Sequence, residues 1–122
     1  LLPQALVAKH LAGYAFDPGS SSVLVAVPAT LCVYRKAASP GADAVRASIS
    51  FAPGDSNSAT EKLDAMVKNG ARDVAGIGRR AVRIADDIEF WSTHTDCVVA
   101  LPANEPFAKD LDATLTACAP TQ

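Results

Sequence analysis

The chain has 122 residues, of which 49% are hydrophobic and 20% charged, and its formal net charge is −2. That length predicts one domain, spanning residues 1–122, with room for an ordinary core and too little chain for a second one. The 11 Lys and Arg residues are scattered, which argues against a nucleic-acid partner, and no apolar run approaches the ~20 residues needed to span a bilayer.

The first predicted element is a helix over Pro3 to Ala12. Pro3 suits a first turn, Leu2, Leu6, Val7 and Leu11 make an apolar stripe, and Gly13 is a natural stop. Asp17 to Ser22 reads as a turn, and Val23 to Val27 as a short strand ended by Pro28. Thr30 to Lys36 and Ala44 to Phe51 alternate with period two and form the arms of a hairpin across a Ser39-Pro40-Gly41 turn. In the second arm Val45, Ala47, Ile49 and Phe51 face inward. Ser58-Ala59-Thr60-Glu61 has the form of a capping box, opening a helix with Ala59, Leu63, Met66 and Val67 on one face and Asn69-Gly70 at its end.

From Asp73 onward the pattern turns to strands. Ala81 to Ala85 and Ile88 to Trp91 read as a hairpin with a three-residue loop, Ala85-Asp86-Asp87. That register sets Ile84 against Ile88, Val82 against Phe90 and Arg83 against Glu89. Cys97 to Leu101 supplies a further strand. Asn104 then caps a last helix, with Phe107, Leu111, Leu115 and Cys118 on one face and Pro120 as its stop. The expected fold is α+β, an antiparallel sheet of five to six strands with about three helices, in the order α-β-β-β-α-β-β-β-α. Helices covering one sheet face would leave the other free for a partner.

The three cysteines, Cys32, Cys97 and Cys118, lack the close spacing of a zinc site. A last strand of ~16 Å and a returning helix of ~21 Å bring Cys118 back near Cys97, so a Cys97–Cys118 disulfide is expected. Cys32 bonded to either partner and three reduced, buried thiols are the alternatives. A bond would point to an oxidising compartment.

Four constellations invite a chemical reading. Gly76-Ile77-Gly78-Arg79-Arg80-Ala81 imitates a dinucleotide fingerprint, yet a strand follows where a helix N-terminus would have to receive the pyrophosphate, so a glycine bend is the better reading. His94-Thr95-Asp96-Cys97 gathers residue types of hydrolytic sites, but His94 falls at a turn tip and Cys97 in a strand. Asp86, Asp87 and Glu89 lack the alternation and central glycine of a calcium loop. Arg79, Arg80 and Arg83, with Trp91 nearby, form the one local basic cluster and are the expected contact residues for a ligand or partner. No catalytic residue, metal ligand or cofactor is assigned.

Cys32-Val33-Tyr34 in an early strand, the mid-chain helix and Val74-Ala75-Gly76-Ile77-Gly78-Arg79-Arg80-Ala81 together resemble a group of small bacterial secreted or lipoprotein domains of unknown function, common in actinobacteria. Those chains carry a Cys followed two residues later by an aromatic, then Gly-x-Gly-x-x-Ala before paired strands and a terminal helix. The resemblance implies an exported, extracytoplasmic envelope protein that binds a protein or envelope ligand, with any lipid-bearing cysteine upstream of Leu1. Two other roles are carried beside that one: an inhibitor or accessory subunit of an envelope enzyme, and a small enzyme using His94 with a cysteine or carboxylate.

Overall fold

A computed structural model describes residues 2–17, 22–24, 29–36 and 45–118. The short helix α1 (Gln4–His10) is followed by strands β1 (Ala15–Phe16), β2 (Ser22–Leu24), β3 (Ala29–Lys36) and β4 (Val45–Pro53). Helix α2 (Ser56–Lys68) leads to β5 (Arg72–Val74), β6 (Arg80–Ile84), β7 (Asp87–Trp91) and β8 (Cys97–Pro102), and α3 (Glu105–Thr114) follows. The strands form one antiparallel sheet in the order β1-β3-β4-β8-β7-β6-β5, with β2 also paired to β3. The α+β class therefore stands, with more strands than expected, because β1 and β5 are too short to show period-two alternation. The turn at Ser39-Pro40-Gly41 and the stretches Pro18 to Ser21 and Val25 to Pro28 lie outside the described residues.

Residues directly opposite one another across an antiparallel ladder point to the same face. One such row runs Thr30, Phe51, Val99, Phe90, Ala81, Val74 across six strands. That face carries the main core, in which Cys32, Tyr34, Ile49, Phe51, Ile88, Phe90, Val99 and Leu101 meet Leu2, Leu6 and Leu11 from the α1 region and Phe107, Ala108 and Leu111 from α3. Ala47, Ile49 and Phe51 face inward as expected. The side chain of Val45 lies outside the described residues. Helices α1 and α3 are joined by Lys9 and His10, each 2.8 Å from the Asp110 carboxylate, and His10 also stacks on Phe107. Hydrogen bonds from Lys9 and then His10 hold the Asp110 carboxyl below its ordinary range. Their contribution is present at neutral pH and is lost as pH falls through that lowered value.

The second helix covers the opposite face, which corrects the expectation of a free one. Leu63 and Ala71 pack on Val82, flanked by Met66, Val67, Ile84 and Trp91. Consecutive residues Ala81 and Val82 are thus both buried, on opposite faces of β6. This arrangement explains why the expected hairpin register is wrong. The loop has two residues, Ala85 and Asp86, and sets Ile84 against Asp87, Arg83 against Ile88 and Val82 against Glu89. A two-residue hairpin loop favours positive φ, and Ala85 has φ +50°. Sequence reasoning gave β6 one polar face, whereas at Ala81 and Val82 both faces are covered and Glu89 is answered by Lys62 of α2 at 3.2 Å.

Helix boundaries also differ: α1 is shorter than the expected Pro3 to Ala12, with Pro3 as its N-cap and Leu11 as its C-cap. The N-cap of α2 is Asp55, not Ser58: its carboxylate accepts the Ser58 amide at 2.9 Å, and that bond lowers the Asp55 carboxyl pKa. An aspartate just after Pro53-Gly54 captures the amide first and starts the helix earlier. Asn104 caps α3 as expected, through the Phe107 amide at 3.1 Å. The helix stops at Thr114, however, because Leu115 is extended, with ψ 127°. Leu115 and Cys118 consequently lie on a non-helical tail, and that tail completes the return. Cys118 bonds to Cys97, with the Cα atoms 5.1 Å apart. Closing this loop contributes about 3 kcal/mol, chiefly by restricting the unfolded chain.

Candidate functional site

The arginine cluster is built on the turn between β5 and β6 and on β6 itself. Gly76 and Gly78 have φ +84° and +57°, and the chain goes from one strand through this turn into another, with no helix after it. At Gly78 an added Cβ would lie 2.3 Å from the Trp91 carbonyl oxygen, so glycine is required there for both conformation and space. The turn delivers Arg79 onto the end of β7. Its amide donates to the Trp91 carbonyl at 2.8 Å and its Nε donates to the Ser92 carbonyl at 2.6 Å. The same guanidinium reaches the Thr95 carbonyl at 3.1 Å and the Asp96 carboxylate at 3.2 Å, and it lies over the Trp91 ring at 4.1 Å from the centroid. Arg79 therefore clamps the β7–β8 turn.

Arg80 points to the α2 side of the sheet. It pairs with Asp64 of α2 at 2.5 Å and with Asp73 of β5 at 3.4 Å, and the Asp64 hydrogen bond raises its pKa further. Trp91 is half-buried between Arg79 and the α2 cluster, and its Nε1 is buried without an acceptor among the described residues. Arg83 differs from both. It is exposed on the other face, directly opposite Arg72 of β5. Arg72 and Arg83, with Gly70, Ile84 and Ala85, line an open cavity of about 390 Å³. The four residues singled out in the sequence thus separate into a clamp, an ion-paired tether, a stacking platform and one exposed cation. Arg72 was missed, because only the register of β5 on β6 reveals its neighbour.

The β7–β8 turn has a second anchor that sequence reasoning also missed. Asp112 of α3 is buried and accepts hydrogen bonds from Ser92 Oγ, the Thr93 amide and Thr93 Oγ1, each at 2.8 Å. The signal was present: Ala108, Leu111, Asp112 and Leu115 share the helical spacing of a core-facing stripe. His94 is exposed at the tip, where its amide reaches Ser92 Oγ at 3.3 Å.

The sulfur of Cys97 is committed to the disulfide, and burial raises the pKa of the free thiol, Cys32. Neither is poised as a thiolate beside His94. Among the described residues no group of three or more His, Cys, Asp or Glu side chains could hold a metal ion, and no helix is long and apolar enough to cross a membrane. No protein-family model matches the chain, and neither a curated protein nor a solved structure is similar enough to match it.

Proposed function

We propose that this chain is a non-enzymatic, extracytoplasmic binding or interaction domain of a bacterial cell-envelope or secreted protein. The observation that carries the reading is the Cys97–Cys118 bond, which joins the start of β8 to the tail beyond α3. Such bonds persist in oxidising compartments and are rare where thiols are kept reduced. The remaining cysteine is buried, so the chain offers no exposed thiol to scramble that pairing. Contact with a partner falls to the arginine-bearing end of the sheet, where Arg83 is exposed and Arg72 stands beside it. The test is non-reducing peptide mapping of the protein from its native host, with free thiols blocked before digestion. The expected result is one linked peptide pair containing Cys97 and Cys118, with Cys32 modified only after unfolding. Three free thiols would overturn the extracytoplasmic assignment.

A second reading has its own support. The Ser92–Asp96 turn is pinned from one side by Arg79 and from the other by Asp112, while its tip presents His94 to solvent. A rigid protruding turn is what an inhibitor or accessory subunit inserts into the cleft of an envelope enzyme, because little ordering entropy is lost on binding.

A further inference from the structure

Arg72 and Arg83 stand opposite each other on β5 and β6. Directly opposed residues of an antiparallel ladder have Cα atoms roughly 4.5–5.5 Å apart, so two guanidinium stems rise side by side from one face. Like charges placed this way destabilise a ladder. Three other arginines are answered by carboxylates: Arg35 by Asp17, Arg79 by Asp96, and Arg80 by Asp64 and Asp73, while Arg46 of β4, opposite Arg35, has no ion pair among the described residues. Among the described residues no carboxylate forms an ion pair with Arg72 or Arg83, although Asp86 and Asp87 lie at the adjoining hairpin.

The pair also opens onto the cavity of about 390 Å³ at the end of the ladder. Gly70 leaves that wall bare, since an added Cβ there would meet nothing within 4 Å. A guanidinium presents a planar fork of donors that grips oxyanions through two parallel hydrogen bonds. One fork satisfies a carboxylate. Two forks side by side match the larger charge and three free oxygens of a phosphate group. We propose that Arg72 and Arg83 form a phosphate-binding site, with the cavity receiving part of the molecule that bears the phosphate. This deepens the binding reading above and rests on it.

The experiment is an NMR titration of isotope-labelled protein with inorganic phosphate, following the arginine Nε–H signals, with chloride at matched ionic strength as control. The Arg72 and Arg83 signals should shift together and saturate, with a dissociation constant on the order of 1 mM or tighter. Each of R72Q and R83Q should weaken binding about tenfold. Both positions are exposed, and the titration of the unaltered protein stands whether or not a variant folds. A second arm uses vesicles of phosphatidylglycerol against phosphatidylcholine. Sedimentation with the anionic vesicles, lost in both variants, assigns the phosphate to a lipid headgroup. Phosphate binding without sedimentation assigns it to a soluble phosphoryl compound. Signals that stay in place, or that chloride moves equally, overturn the site. A chain that keeps its Cys97–Cys118 bond and ignores phosphate would lose this inference while keeping the extracytoplasmic reading.

Discussion

Arg80 and Arg83 lie on the same strand, and their surroundings differ in kind. The Arg79–Arg80 end is internally satisfied: every guanidinium there meets a carbonyl, a carboxylate or an aromatic face of this same chain. The Arg72–Arg83 end pairs like charges and leaves them facing a cavity. Each place holds two arginines, so a count of basic residues alone says nothing about role. What separates them is whether the fold brings an acceptor to the arginine. Arginines that the fold satisfies hold structure, and arginines left unsatisfied are available to something outside it.

The largest expected effect comes from the turn that makes the first region possible. Gly78→Ala should cost about 3 kcal/mol in urea unfolding, since it combines a left-handed backbone position with a Cβ 2.3 Å from the Trp91 carbonyl. A loss under about 1 kcal/mol would mean that the turn can shift, and the clamp would no longer depend on it. Arg79→Ala should follow at about 1–2 kcal/mol, from the lost carbonyl and carboxylate contacts and the stacking on Trp91. Hydrogen exchange of the Thr93 to Asp96 amides should quicken in that variant. If the turn is the element that enters a partner's cleft, affinity for that partner should fall with it.

The smallest effects make the sharpest contrast, because their signs are opposite. Arg80→Ala should lower stability by about 0.5 kcal/mol, a loss that shrinks in high salt, as for any exposed ion pair. Arg83→Gln should raise stability by a similar ~0.5 kcal/mol at low salt, by relieving the repulsion from Arg72. Thermal melts of both variants at two salt concentrations check this. Equal signs would erase the distinction between the two regions.

Much of the fold was legible in the chain because local rules carry it. The pairing of β3 with β4 follows from two clean alternating runs, and Asn104 and Asn69-Gly70 mark helix ends by capping chemistry. The site was legible only as a list. Arg79, Arg80, Arg83 and Trp91 were found by proximity in sequence, and nothing in that proximity separates a clamp from a free cation. Arg72 becomes visible only when β5 is laid on β6, and the core-facing spacing of Asp112 gains its partners, Ser92 and Thr93, only when α3 is laid on the β7–β8 turn.

By itself, then, the sequence determined the α+β class, most element positions and the expectation that Cys97 and Cys118 meet, because alternation, helical spacing and turn chemistry act over a few residues. Tertiary structure alone decided the two-residue hairpin loop, the placing of α2 on the second face and the fate of each arginine. Those outcomes depend on which side of a strand is buried and what charge lies across it. A shift of one residue in register reverses both.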